Sequence, residues 1–492
     1  MAEDKHTSLG GLRTGVPGLD AILGGDLPEY SFNMIAGPPG AGKTTLVQQI
    51  VFSSATVERP ALYFTVLGEP TLKMIRYQQQ FDFFKPELVG TSIRFVNLSE
   101  EVLRGDLNAV LERIVTEVEA ATPGIVAVDS FRTIGLPAGS ADDSVLSLEH
   151  FVQRLALNLT TWEVTSFLIG EYEQKEQRNP VFTVADGILW LTQAVERNSV
   201  VRKLQVLKVR GRDTMPGLHT FRITGSGLQV FPRIPQAMTM PRAKSATRSR
   251  LSTGVPGLDE MTGGGIPEGD AVILAGPAGS GKTTFARQFV GEGLRQGESA
   301  VIVVFEEKPE GYLARADLPD PELRAMAEAG RLRILYLRPL DLSVDEMLME
   351  VLDSVKQLEA KRVVIDSLTG FAIALAPTFR QDFPESLYRL VGSLTAVGVT
   401  VFMTTEVTET FRTAPFTDER VSFITDDIFV QRYIELDGAI RSVLAVVKMR
   451  GSDHSHEFRL YEIGDKGATI GESLKGYRGI VTGVPELKNP VR

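Results

Sequence analysis

In each half of the chain, short unbroken apolar runs alternate with longer stretches whose apolar residues recur every three or four positions. "SFNMIAG" (31–37) runs into a glycine-rich loop, and "LVQQIVFSSA" (46–55) follows it with helical spacing. "GIVAVDS" (124–130) reads as a buried strand ending in an acid, "VLSLEHFVQRLALNL" (145–159) as a helix, and "SFLIGE" (166–171) as a further buried strand. Strands that alternate with helices predict an α/β fold, a mostly parallel sheet with helices on both faces.

The pattern occurs twice. "TGVPGLD" stands at 14–20 and 253–259, and "GPPGAGKTT" at 37–45 matches "GPAGSGKTT" at 276–284, both at an offset of 239. "AVDS" (127–130) matches "VIDS" (364–367) and "KVRG" (208–211) matches "KMRG" (448–451), at offsets of 237 and 240. Four landmarks in one order at a near-constant offset predict two homologous domains in tandem. Their expected bounds are 1–230 and 251–492. Between them "FPRIPQAMTMPRAKSATRSR" (231–250) lacks a hydrophobic period, carries five Arg or Lys, and reads as an exposed linker.

Composition narrows the function classes. The 492 residues contain 43% hydrophobic and 23% charged positions, ordinary for a core-forming protein. No run approaches the roughly 18 apolar residues that cross a bilayer, and the polar start "MAEDKHTSLGG" does not read as a secretory signal. A soluble cytoplasmic protein without a membrane partner is the expectation. Cysteine is absent, which removes disulfides and thiolate metal sites. The net charge of −10 argues against a protein that coats nucleic acid, since neutralising phosphates needs surplus Lys and Arg. His454 and His456 are the only histidines with any metal-like spacing, and packing or surface roles are expected for all five.

Both glycine loops fit GxxxxGK[ST] completely, and each lies between an apolar strand and a helix. Gly37, Gly40, Ala41, Gly42, Lys43, Thr44 and Thr45 form the first, and Gly276, Gly279, Ser280, Gly281, Lys282, Thr283 and Thr284 the second. Glycines let backbone N–H groups wrap phosphate oxygens at a helix N-terminus. Lys43 and Lys282 would reach the outer phosphates of ATP, and Thr44 and Thr283 would hold Mg²⁺. Asp129 and Asp366 end apolar strands about 85 residues after their loops, the place of an acid that assists the metal directly or through water.

With "GGGIPEG" (263–269), "VIDSLTG" (364–370), "FEEKP" (305–309), "FRQDF" (379–383), "ITDD" (424–427), "KMRGS" (448–452) and "ESLKGYRGIVTGVP" (472–485), the chain resembles the KaiC family of tandem RecA-like ATPases over roughly residues 8–485. The resemblance implies two tandem RecA-like P-loop domains, a double-ring homohexamer with ATP between neighbouring subunits, slow conformational cycling, and autophosphorylation in clock members. It also implies a small clock-type or signalling partner on the ring. Glu306 would orient or deprotonate the nucleophile, and Glu307 would assist the metal. Lys208 and Arg210, and Lys448 and Arg450, would reach a neighbour's γ-phosphate. A strand with alternating exposed basic residues fits the periodicity of those four equally well, and it is the repeat and the resemblance that favour the nucleotide role.

The chain departs from the family in four places. Leu67 and Gly68 stand where Glu306 and Glu307 stand in the second half, with Glu69 two positions beyond as a displaced candidate base. Ile169-Gly170 replaces Thr404-Thr405, removing hydroxyl groups from the first site. The first domain is therefore expected to bind ATP and hydrolyse it poorly. Ser422 keeps the serine of the family's phosphorylated pair, Phe423 replaces its threonine, and Thr417 lies five residues earlier, so single-site phosphorylation is the expectation. "KNPVR" follows "GIVTGVPEL" where clock members carry a longer tail through which they are stimulated, so regulation by that route is not expected. Two other functions fit the same residues: an ATP-assembled signalling scaffold with little turnover, and a RecA-type DNA-acting ATPase, which the acidic balance disfavours.

Overall fold

The structure, a computed structural model, describes residues 10–66, 71–104, 107–130, 141–172, 181–196, 199–233, 248–314, 321–337, 343–375, 383–407, 424–480 and 485–487. The chain divides into two compact units, Met1–Arg233 and Ile234–Arg492.

The first unit is built on a nine-stranded sheet. Its strands are β1 (Phe32–Gly37), β2 (Ala61–Thr65), β3 (Ile93–Asn97), β4 (Ile125–Asp129), β5 (Thr165–Glu171), β6 (Gly187–Glu196), β7 (Ser199–Val209), β8 (His219–Thr224) and β9 (Gly227–Phe231). Their spatial order is β9-β8-β7-β6-β1-β5-β4-β2-β3. β6 through β3 run parallel, and β7, β8 and β9 continue as an antiparallel meander. The helices that matter here are α1 (Lys43–Ser54), α2 (Leu107–Ala121) and α3 (Ala141–Thr161).

The second unit repeats the plan. Its strands are β10 (Ala271–Gly276), β11 (Ala300–Val304), β12 (Leu332–Tyr336), β13 (Arg362–Asp366), β14 (Thr400–Glu406), β15 (Asp427–Leu436), β16 (Ala439–Met449), β17 (Arg459–Gly464) and β18 (Gly467–Ser473), in the order β18-β17-β16-β15-β10-β14-β13-β11-β12. Its helices include α4 (Lys282–Arg295), α5 (Val344–Leu358), α6 (Leu368–Ala374) and α7 (Phe383–Ala396).

Successive side chains of a strand point to opposite faces, and here both faces are covered, which is why the strands read as unbroken apolar runs. Ile35, Tyr63, Ala127 and Ile169 pack on the α1 side with Leu46, Ile50 and Phe52. Met34, Phe64, Val126, Val128 and Leu168 pack on the opposite side with Val110 and Ile114 of α2 and Phe151 and Leu155 of α3. The second unit divides in the same way: Leu274, Ile302, Val364 and Phe402 face α4, while Ile273, Val303, Ile365 and Met403 face α5 and α7. Two tandem RecA-like α/β domains are thus present: the parallel sheets are those the alternation predicts, the tandem copy that of the repeat, and the RecA-like plan that of the resemblance. Trp190 is buried in the first core and Trp162 packs against it. Arg248 and Arg250, at the end of the expected linker, bond within the second unit, Arg248 to Glu268 O and Arg250 to the carbonyls of Thr262 and Gly265.

Candidate functional site

Each phosphate-type loop follows the central strand of its sheet. Gly37 ends β1 with φ 149°, and a Cβ there would fall 2.0 Å from Leu191 O on the adjacent β6, so the strand closes into the loop only with glycine. Gly42 and Gly281 adopt left-handed φ values of 95° and 86° and turn the chain into α1 and α4. Lys43 Nζ donates to Gly37 O at 2.9 Å and Pro38 O at 2.8 Å; Lys282 Nζ donates to Gly276 O at 3.0 Å and Pro277 O at 2.7 Å. Each ammonium is thus folded over its own loop. Burial lowers the pKa of Lys43, opposed by the charges of Glu171 and Asp129. Burial also lowers that of Lys282, opposed by Glu406, Asp366 and Glu306. Ser280 Oγ donates to Gln431 Oε1 at 2.8 Å, tying the second loop to β15, and Ala41 and Thr284 are buried.

Asp129 ends β4, and Thr44 Oγ1 donates to its Oδ2 at 2.9 Å although 85 residues separate them. Tyr63 on β2 donates its hydroxyl to the same oxygen at 2.9 Å. Burial raises the Asp129 pKa, opposed by the hydrogen bonds from Tyr63 and Thr44 and by the charge of Lys43. In the second unit the donor to Asp366 is Thr404 Oγ1, at 2.6 Å from Oδ1. An ammonium, a hydroxyl and a carboxylate around a glycine-rich loop form the donor set for a nucleoside triphosphate with a divalent cation. The residues present fit ATP and Mg²⁺.

Glu306 and Glu307 follow β11, the first exposed and the second half-buried. A Cβ at Gly370 of α6 would lie 3.3 Å from Glu306 Oε1 and 3.1 Å from Phe305 Cβ, so the missing side chain of Gly370 leaves the room that the Glu306 carboxylate uses. Glu307 Oε2 lies beside Gly311. Leu67, Gly68 and Glu69, and the phosphorylation candidates Ser422 and Thr417, lie outside the described residues.

The basic strand ends lie elsewhere. Val209 pairs with Gly187, and Gly187 with Asn33 at the start of β1, whereas the loop begins after Gly37 at its end. The register of Met449, Asp427 and Val272 repeats this in the second unit. Lys208 and Arg210, and Lys448 and Arg450, therefore sit at the opposite end of the sheet from their own loop, about 13 Å away along the strand direction. Lys448 Nζ donates to Thr425 O at 2.6 Å. Arg210 pairs with Asp186 at 3.1 Å, and Arg450 with Asp426 at 3.8 Å. Burial and the neighbouring Arg210 lower the Lys208 pKa, against Asp186.

A family model for the KaiC ATPases matches the chain twice, over residues 12–234 and 251–475. The chain belongs to the KaiC ATPase family. Curated KaiC proteins are similar to it along almost their whole length. The "Circadian clock oscillator protein KaiC" of Rippkaea orientalis is 28% identical over 482 residues, covering 96% of this chain and 91% of that protein. The protein of the same name from Picosynechococcus sp. is 27% identical over 482 residues, covering 96% and 92%. "Circadian clock oscillator protein KaiC 1" of Synechocystis sp. is 28% identical over 488 residues, covering 96% and 91%.

Three residues of this KaiC site carry no role in the sequence reading. Glu171 and Glu406 end β5 and β14 opposite Gly37 and Gly276, and their charges act on the loop lysines. Both strands close on "E" in the repeat, which was the available signal. The third is Tyr63, whose hydroxyl reaches Asp129 from the far side of β4 and for which the repeat held no signal, because its counterpart is Ile302. The first site is thus not devoid of hydroxyl groups. Gly170 has its own reason: a Cβ there would fall 2.3 Å from Cε2 of the buried Tyr172, whose ring occupies that space.

Proposed function

We propose that this KaiC-family chain is an ATP-dependent ATPase that assembles as a hexamer, with chemistry in the second domain and chiefly structural ATP binding in the first. The observation that carries the division of labour is the pair Glu306-Glu307 after β11, where the first half of the chain has Leu67-Gly68.

In the second domain Glu306, whose carboxylate lies beside Gly370, orients the attacking water and takes its proton. Thr283, Glu307 and Asp366 hold Mg²⁺, which neutralises charge on the phosphates when bound. Lys282 meets the outer phosphates. Lys448 and Arg450 act on the nucleotide of a neighbouring subunit, a reading supported by their place at the opposite end of the sheet from their own loop. In the first domain Lys43, Thr44 and Asp129 bind ATP and Mg²⁺, and Lys208 and Arg210 join neighbours. The clock-oscillator names of the relatives favour a clock-type regulatory role, and a small partner protein that reads the state of the ring belongs to the same proposal. Single-site phosphorylation of Ser422, with Thr417 as the second candidate, belongs to the same reading and would appear as added mass after incubation with Mg-ATP.

The test is turnover and oligomer size measured in parallel on wild type, Glu306→Gln and Lys43→Ala. Glu306→Gln is expected to lower turnover by about 10²–10⁴ with the hexamer intact, and Lys43→Ala to lose the hexamer. Wild-type turnover in Glu306→Gln, or a stable ring in Lys43→Ala, would remove the corresponding half of the proposal.

A further inference from the structure

We infer that Tyr63 is a positioning residue for the Mg²⁺–nucleotide site of the first domain, acting through Asp129. The inference rests on the reading above that this domain binds ATP with Mg²⁺.

A metal-assisting carboxylate must present one oxygen in a fixed direction, and a second group normally holds it there. In the second domain that group is Thr404 on β14, directly beside Asp366. The first domain has Ile169 at the corresponding place, paired in register with Asp129 and unable to donate. Tyr63 supplies the donor from the opposite neighbour: β4 lies between β5 and β2, and the phenol crosses from β2 to Oδ2 at 2.9 Å. Its second-domain counterpart is the apolar Ile302, so the two halves have exchanged which flanking strand carries the hydroxyl.

Tyr63 is fully buried, with its ring centroid 5.4 Å from that of Phe95. A phenol is neutral at physiological pH, so Tyr63 is a hydrogen-bond donor to the Asp129 carboxylate. Thr44 shares the same carboxylate oxygen. With Thr44 engaged by Mg²⁺, Tyr63 would be the described side chain that still fixes the Asp129 carboxylate. The first domain thereby retains a preorganised metal site although its threonine pair is gone, which is a demand of tight nucleotide binding rather than of turnover.

The experiment uses the full chain with Lys282→Ala, so that a fluorescent ATP analogue reports the first domain, titrated with Mg²⁺. Tyr63→Phe keeps the packing against Phe95 and removes the hydroxyl. It is expected to raise the Mg²⁺ concentration for half-maximal binding about tenfold, the value of one hydrogen bond to a charged group. Ile169→Thr, which places a hydroxyl where the second domain has one, is expected to restore the midpoint in the Tyr63→Phe background. A merely structural role for the phenol would not be rescued from a different strand. Nucleotide binding that needs Lys43 but keeps its Mg²⁺ midpoint in Tyr63→Phe overturns this inference alone. Binding indifferent to Lys43→Ala overturns the first-domain reading and this inference with it.

Discussion

Asp186 bridges Arg210 to the start of the loop strand: Oδ1 lies 3.1 Å from Arg210 Nη1, and Oδ2 accepts the Phe32 N–H at 3.0 Å. Asp426 does the same for Arg450 and the Ala271 N–H, with 3.8 Å and 3.1 Å. The arginine proposed to serve a neighbouring subunit is therefore held by an acid of its own unit. Asp186→Asn keeps an acceptor for the backbone and removes the charge. If Arg210 has to leave Asp186 to reach a neighbour, ATP-dependent assembly tightens in the variant by up to about fivefold, given the ~0.2–1 kcal/mol of an exposed ion pair. Sedimentation across a concentration series measures it; weaker assembly would mean the pair aims the arginine rather than restrains it.

Gly370 tests the placement of Glu306 without touching it. The alanine methyl would press on Glu306 Oε1 and Phe305 Cβ, both of which have to give by a few tenths of an ångström. Gly370→Ala is expected to cut turnover about tenfold, since small displacements of a reacting group are costly. Nucleotide affinity stays level. Alanine also favours a helix over glycine by up to about 1 kcal/mol, so lost turnover without lost stability is the distinguishing pattern.

Arg362 is fully buried at the start of β13. Its Nε donates to Glu298 Oε2 at 2.6 Å, its Nη1 to Ser252 O and Phe289 O at 2.8 Å each, and its guanidinium lies 4.5 Å from the Phe289 ring centroid. Glu298→Ala leaves that charge buried without its counter-ion, at a cost of about 3–5 kcal/mol to the second unit. Both tryptophans, Trp162 and Trp190, belong to the first unit. The denaturant midpoint is expected to fall in circular dichroism and to hold in tryptophan fluorescence.

Glu350 supplies a pH dependence. Glu350 is exposed on α5, and partial desolvation first and Glu346 one helical turn away second raise its pKa above the usual 4.5. A carboxyl whose folded pKa exceeds its unfolded value opposes folding once charged, and the opposition disappears as pH falls below the unfolded value. Glu350→Gln is therefore expected to stabilise the second unit slightly near neutral pH, by less than the about 0.5 kcal/mol of a like-charge pair at this spacing, because water screens an exposed carboxylate. Below pH ~4, where both states are protonated, the gain vanishes. Urea midpoints at several pH values read the effect.

The sequence by itself determined everything that depends on local order and repetition. Unbroken strands alternating with helices require a sheet covered on both faces. Two complete loops followed by strand-end acids mark a candidate nucleotide site in each half, and in the first the fold brings Thr44 to Asp129 across 85 residues. Only the tertiary structure decided what comes from register and from neighbours across the sheet. That Lys208 and Arg210 lie at the far end from their own loop follows from the pairing of β7, β6 and β1, which no spacing along the chain encodes. That Tyr63 replaces the lost Thr404-type hydroxyl follows from β4 lying between two strands distant in sequence, either of which can carry the donor. Comparing the repeats position by position finds a missing group where it used to be. It does not find the substitute, because a carboxylate's partners are chosen by distance in space, and the same contact is reached from two different strands.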